Sequence, residues 1–233
     1  MTLGIVVALP EELATLTPTK PAQGDCVAIN PEILICYAGA GPTNAELAAR
    51  SLIAQGCQRL ISWGCAGALS PQLNPGDLIL ASQVLYKEQR FETHSSWHTV
   101  TKNLLSTKLT ICCEALSSSS RIIASSKEKQ ALHQQTGAFA IDMESAAIAA
   151  VSNEFQLPFL IVRAIADPVA MDLPNAVSHA LNPQGRVELG KLLGYLLRHP
   201  AEISGLIRLG LHFNSAQKTL KHAAKQLHGF TNF

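Results

Sequence analysis

Asp142 and Glu144, in Ile141-Asp142-Met143-Glu144-Ser145, stand where an apolar segment hands over to a helical one. Asp167 closes a second apolar run, Ile161-Val162-Arg163-Ala164-Ile165-Ala166-Asp167, and Glu12 follows a third that ends in Leu9-Pro10. In parallel α/β sheets the ligand crevice opens outside the carboxyl ends of the strands. Acids at those ends are placed to hold hydroxyl groups, to donate a proton or to take one. Each also has an ordinary reading: Asp142 as a helix N-cap, Asp167-Pro168 as a turn, and Glu12 as a surface carboxylate that complements a helix dipole. Gathered at one rim, three carboxylates in different surroundings can divide acid and base roles among themselves.

The elements that must position these acids follow from the hydrophobic pattern. Residues 3–9 are a continuous apolar, β-branched run, as in a strand covered on both faces. Pro10-Glu11-Glu12 opens a short helix, because proline suits the first turn and acids suit its positive end. A second buried-type strand at 33–37 leads through Ala38-Gly39-Ala40-Gly41-Pro42 into an amphipathic helix at 45–55. Glycines at such a turn let the backbone approach a ligand and aim free N–H groups at its oxygens. The turn is neither G-x-x-x-x-G-K-[ST] nor G-x-G-x-x-G, so neither a nucleoside triphosphate nor a dinucleotide is implied. A strand at 60–64 runs into a second small-residue turn, Cys65-Ala66-Gly67-Ala68-Leu69, suited to a crevice floor.

Pro75-Gly76-Asp77 reads as a turn before a strand at 78–85, and the polar segment 86–107 as either a lid or an ordinary surface excursion. A helix near 102–116, a serine loop at 117–120, a short strand at 121–124, a helix at 127–136 ended by Gly137, and a strand at 138–141 lead to the central motif. Glu144, Ala147, Ile148 and Val151 share one helical face, so Glu144 points inward, where a carboxylate needs partners such as a hydroxylated ligand. The alternation of strands and helices predicts a three-layer α/β/α fold with a central mixed sheet.

Helical patterns at 187–198, 201–213 and 215–227 add extra C-terminal helices. The expected organisation is one domain over residues 1–198 and a helical extension, 199–233, packed on it. From residue 198 on, Arg198, Arg208, Lys218, Lys221 and Lys225 stand against Glu202, 5 − 1 = +4, which leaves −3 for the rest of a chain of net charge +1. The face Ile203-Leu206-Ile207-Gly210-Leu211 either packs on the domain or meets a partner subunit or an acidic membrane surface.

Composition narrows the classes. At 233 residues, with 47% hydrophobic and 15% charged, the chain suits one large α/β domain and not a disordered one. No basic stripe with interleaved aromatics runs through the first 190 residues, which argues against nucleic acid. The N-terminal apolar run lacks a basic flank and reads as a strand, and no apolar run reaches the length of about 18 residues that suggests a spanning helix. Six cysteines without C-x-x-C spacing fit reduced thiols in a cytoplasmic protein. His94 and His98 have i,i+4 spacing but no intervening Glu of the metalloprotease kind, so no metal is expected.

With these motifs in place, the chain resembles the nucleoside phosphorylase and nucleosidase superfamily, in particular its methylthioadenosine/S-adenosylhomocysteine nucleosidase-like branch, over roughly residues 3–195. The resemblance is carried, in order, by Gly4 to Glu12, Ala38-Gly39-Ala40-Gly41, Trp63-Gly64-Cys65-Ala66-Gly67, Pro75-Gly76-Asp77, Asp142-Met143-Glu144-Ser145 and Val162 to Asp167. Within it, Ala124 to Lys129, the central motif, Asp167-Pro168 and the basic helical tail look most like the hopanoid-associated phosphorylases, also called adenosylhopane nucleosidases. The resemblance implies cleavage of the N-glycosidic bond of an adenine nucleoside with an apolar 5′-substituent, by a homodimer that needs no cofactor. It implies that Asp167 protonates the purine, that Glu144 grips the ribose hydroxyls with Met143 against the ribose, and that Glu12 activates the attacking water. Gly41, Cys65, Ala66 and Gly67 would line the substrate.

Such bond breaking passes through an oxocarbenium-like state, which asks for an acid on the leaving group and negative charge near the sugar. This chain departs from the pattern at Cys65, where the nucleosidases have Ser, at Ala166, where a Ser commonly precedes the acid, and in lacking the aromatic purine loop after residues 121–124. Cys65 and Ala166 motivate a competing reading as a non-catalytic nucleoside binder. Glu11 and Glu12 would repel a phosphate dianion, which favours water as the nucleophile; Arg90 and Arg163 keep phosphorolysis, with phosphate as co-substrate, as the alternative.

Overall fold

A computed structural model describes residues 2–107, 109–180 and 189–231. In chain order the elements are β1 (Leu3–Val7), α1 (Pro10–Leu13), β2 (Cys26–Asn30), β3 (Ile33–Tyr37), α2 (Pro42–Ala54), β4 (Arg59–Ala68), β5 (Leu78–Leu80), β6 (Gln83–Tyr86), β7 (Gln89–Glu92) and α3 (Ser95–Ser106). They continue with β8 (Ile111–Cys112), β9 (Leu116–Ser118), α4 (Ser126–Thr136), β10 (Ala140–Asp142), α5 (Ser145–Glu154), β11 (Phe159–Asp167), α6 (Asn175–Ala180) and α7 (Leu189–Arg198). A 3-10 turn (Pro200–Glu202) then leads into α8 (Ile203–Ala224) and α9 (Leu227–Thr231).

The sheet is mixed. Its path runs β2-β3-β1-β4-β10-β9-β6-β7, and β11 pairs with both β4 and β5. β1, β3, β4 and β11 run parallel, whereas β10 runs antiparallel to β4. Period-two alternation sorts side chains between two cores. Leu3, Ile5 and Val7 face a layer containing Leu13, Trp97, Leu105, Ala216, Leu220, Ala223 and Phe230 of α1, α3, α8 and α9. Val6 and Ile161 face the opposite layer, with Ala45, Ala49 and Leu52 of α2 and Ile148 and Val151 of α5. This is the expected α/β/α architecture.

Several local readings change. β4 continues through Cys65, Ala66, Gly67 and Ala68, where a turn was expected, because the small residues pair with both β11 and β10. The strand expected at 78–85 is two strands that part after Leu80 and serve different neighbours, β11 and β9. The helix expected near 102–116 is α3, which ends at Ser106, and the chain turns into β8 and β9. The serines expected to form a loop supply β9, and residues 121–124 form no strand. β2, a half-exposed edge strand, and α6 were not foreseen. The helix expected from Val187 begins at Leu189 among the described residues; positions 187 and 188 lie outside them. The two last helical patterns are one element, α8, followed by the short α9.

Segment 86–107 is no lid over the strand ends. It forms β7 and α3, and His94 N–H donates to Phe159 O at 3.0 Å, at the start of β11 and therefore at the opposite end of the sheet from Asp167. His94 caps α3 through Trp97 N–H, while His98 Nε2 lies 2.8 Å from Leu80 O, so the two rings serve different partners. All six cysteines are free thiols. Among the described residues no helix is long and apolar enough to cross a membrane.

Candidate active site

Glu12 folds back over the entrance of its own helix. Its Oε2 accepts from Ala8 N–H and Leu9 N–H, each at 3.0 Å, and its Oε1 accepts from Cys65 N–H at 2.7 Å. A carboxylate offers about four lone-pair positions, so three backbone donors hold the group rigid and leave one acceptor position. The Oε1 contact carries Glu12 across from β1 to β4. Gly64 is required there, since a Cβ at this position would collide with Glu12 Oε1 and Arg163 Nη1. Burial pushes the Glu12 carboxyl above its ordinary value, against the opposing pull of Arg163 and the three N–H donors.

Glu144 occupies the junction between β10 and α5. Its Oε1 accepts from Gly41 N–H at 3.0 Å and its Oε2 lies 3.5 Å from Arg163 Nη2. Gly41, with φ +96°, is in the left-handed region that glycine tolerates, and this backbone geometry aims its N–H across at β10. Burial raises the Glu144 carboxyl to about 7, with Asp142 and Glu12 adding to the shift and Arg163 and Gly41 opposing it. Met143, half-buried, lies between the two acids in sequence.

Arg163 is the hub. It is fully buried in the middle of β11 and reaches Asp142 Oδ2 at 2.8 Å, Ser62 Oγ at 2.7 Å and Cys65 O at 3.3 Å. Burial works against its charge, but Asp142, Glu144 and Glu12 around it raise its proton affinity. Asp142, the last residue of β10, accepts from Ser118 Oγ at 2.9 Å and from Ser145 N–H and Oγ at the start of α5, whose N-cap position is Glu144 and not Asp142 as its ordinary reading had it.

Asp167 closes β11 in register with Gly67 of β4, and a Cβ on Gly67 would lie 3.1 Å from both carboxylate oxygens. Its ion-pair partner is Lys129 of α4, fully buried, whose Nζ also donates to Met171 O at 2.9 Å and Pro168 O at 3.3 Å. Glu12 and Asp167 thus meet the same stretch of β4, Gly64 to Gly67, and Glu144 joins them through the shared Arg163. Burial and the nearby Glu12 push the Cys65 thiol well above its ordinary value, so it remains a neutral thiol. Ala66, beside it, is buried.

The departures at Cys65 and Ala166 are met by other atoms. The Cys65 backbone N–H, not its side chain, holds Glu12, and Lys129 donates to Asp167. Lys129 enters the sequence analysis only as the end of the segment Ala124 to Lys129, without a role, and Arg163 only as a phosphate ligand. Helical period was the available signal for the first, because Lys129, Leu132, His133 and Thr136 fall on the inward face of α4. For the second, the signal was an arginine inside an apolar strand, which must find acids. Neither named arginine presents itself to an anion beside the three acids: Arg163 is enclosed by carboxylates, and Arg90 lines a separate cavity of about 300 Å³ with His94 and Phe159, at the far end of β11.

Fold and acid cluster together are those of an α/β protein with buried carboxylates gathered at its strand ends. The chain belongs to the phosphorylase superfamily, whose model matches residues 2–198. A 5′-methylthioadenosine/S-adenosylhomocysteine nucleosidase of Staphylococcus epidermidis is 27% identical over 198 residues, covering 71% of this chain and 86% of the relative. An aminodeoxyfutalosine nucleosidase of Helicobacter pylori is 26% identical over 157 residues, covering 59% and 68%. Among solved structures, the futalosine hydrolase of Helicobacter pylori superposes with a TM-score of 0.71 at 20% identity, covering 99% of this chain and 97% of the other, and shares the fold.

Proposed function

We propose that this protein hydrolyses the N-glycosidic bond of an adenine nucleoside carrying an apolar 5′-substituent, with Glu12, Glu144 and Asp167 as its working acids. The observation that carries the reading is the placement of Glu12 and Asp167 along Gly64 to Gly67 of β4, with Glu144 sharing Arg163 with Glu12 and Asp167 held apart by Lys129.

Glu12 is fixed by three N–H donors and retains an acceptor position, which suits it to orient a water and take its proton as the oxygen attacks C1′. As the bond from C1′ to the purine nitrogen breaks, its electron pair passes to the base. Asp167 relays a proton to the imidazole half of that base and takes its replacement from the Lys129 ammonium bonded to it, which is left as the neutral amine. Glu144 accepts from the ribose hydroxyls, Met143 lies against the ribose, and the surplus of carboxylates over cations near Arg163 favours positive charge on the sugar. Gly41, Cys65, Ala66 and Gly67 leave room for the nucleoside by their small size.

Water is the favoured nucleophile because acids surround Arg163 and Arg90 is remote. Relatives named as nucleosidases support the same class of reaction. No cofactor enters this reaction scheme, and the protein is proposed to act as a cytoplasmic homodimer, on a hopane-bearing nucleoside in hopanoid biosynthesis. Adenine release from 5′-methylthioadenosine and from longer-tailed analogues, with and without phosphate, tests it. Rates independent of phosphate are expected; strict phosphate dependence, or no turnover of any adenine nucleoside, contradicts hydrolysis.

A further inference from the structure

Large apolar side chains exposed on this protein are not scattered. Of the nine among the described residues, five lie on two neighbouring helices: Leu193 and Leu197 of α7, and Ile203, Ile207 and Leu211 of α8. Leu197 is 86% exposed, Leu211 65% and Ile207 61%. The face expected to pack on the domain does so only through Leu206, which is half-buried.

We infer that this surface docks on an anionic lipid bilayer. Successive outward positions of α8 are Ile203, Ile207, Leu211, Asn214, Lys218, Lys221 and Lys225, all exposed and spaced by three or four residues. One stripe therefore turns from apolar to cationic along a helix of 22 residues, about 33 Å long at 1.5 Å per residue. Arg198 and Arg208, also exposed, flank its apolar half. From residue 189 to 231 the cations number six and the acids one, 6 − 1 = +5. That single acid, Glu202, is turned inward: it accepts from Ala176 N–H at 2.8 Å and from Asn175 and Tyr195 at 3.2 Å.

The stripe has no inward alternative, since Ala216, Leu220 and Ala223 fix the opposite side of α8 in the core. A second copy of the chain fits it poorly. A two-fold contact sets Lys218, Lys221 and Lys225 either against their own counterparts or against the apolar half. Acyl chains and anionic headgroups match both halves at once, the apolar residues entering the acyl boundary and the lysines meeting the headgroups. The inference stands on this surface alone, whichever nucleoside the crevice takes.

Flotation of the full chain with vesicles of equimolar phosphatidylcholine and phosphatidylglycerol, and of phosphatidylcholine alone, tests it. The wild type is expected to float with the anionic vesicles, less so in high salt, and to stay down with the neutral ones. Replacing Lys218, Lys221 and Lys225 together with Gln should weaken binding about a hundredfold, from roughly 1 kcal/mol per basic residue at an anionic surface. Replacing Leu197, Ile207 and Leu211 together with Ser should also release the protein from vesicles. Unchanged thermal melting shows that each variant is folded. Three results overturn the inference: a wild type that floats with neither vesicle, an apolar variant that floats as well as the wild type, or a soluble dimer that the Ser variant splits, which would assign the face to a second copy.

Discussion

On the β4 and β10 side of the crevice one guanidinium, Arg163, serves Glu12, Asp142 and Glu144, whereas on the α4 side Asp167 has the ammonium of Lys129 to itself. In the first region, burial with one shared cation raises the proton affinity of Glu12 and of Glu144, the latter to about 7. The second is balanced one to one. In the proposed reaction the sugar gains positive charge and the base gains a proton, so the crowded region belongs beside the ribose and the balanced pair beside the purine. The comparison teaches that acids alike in type, at neighbouring strand ends, are made different by the cations that share them.

Removing the shared cation should break the crowded region first. Arg163→Met leaves three carboxylates buried without it and is expected to cost about 3–5 kcal/mol of stability, read from urea denaturation; a loss below 1 kcal/mol would mean the acids do not depend on it. On the balanced side, Asp167→Asn is expected to lower kcat by roughly 10² to 10⁴ while adenine still binds, measured by turnover and by calorimetry. Retained turnover would remove Asp167 from the chemistry.

The pH dependence of stability sharpens the contrast. Glu144 is raised from 4.5 to about 7, so the folded state favours its protonated form. That contribution is fully present below pH 4.5 and is lost as pH rises through about 7. A Glu144→Gln variant lacks this loss, so its stability relative to the wild type should rise between pH 5 and 8 by up to about 3 kcal/mol. A difference independent of pH would show that Glu144 is not perturbed. Catalysis needs the ionised carboxylate, so wild-type kcat/KM should fall on the acid side of about 7. The smallest effect is expected at Lys129: Lys129→Met removes one charged hydrogen bond worth about 1.5–3 kcal/mol, lowering kcat by roughly ten- to a hundredfold with KM little changed. A change confined to KM would make Lys129 a binding residue only.

Glu12, Glu144 and Asp167 were legible in the sequence because each follows a strand buried on both faces, and such strands declare themselves as apolar runs with a defined end. β11 was readable for the same reason, and Gly137, with φ +71°, ended α4 as read. Lys129 was hidden because one lysine among polar neighbours looks solvated until the inward face of its helix is traced. Small residues from Cys65 to Ala68 looked like a turn, since composition alone does not separate a turn from a strand that other strands crowd on both sides. β8 and β9 are two and three residues long, too short for a period to register. The exposed half of α8 stayed open between the domain, a partner subunit and a membrane because an apolar helical face states only that something covers it, not what.

A riboside whose leaving group needs no proton, such as a nitrophenyl riboside, separates the two regions directly. Asp167→Asn and Lys129→Met should recover most of the wild-type rate on this substrate, while Glu12→Gln should stay inactive because water activation is still required. If Asp167→Asn is as impaired on the nitrophenyl riboside as on an adenine nucleoside, the division of labour between the crowded and the balanced acids is wrong.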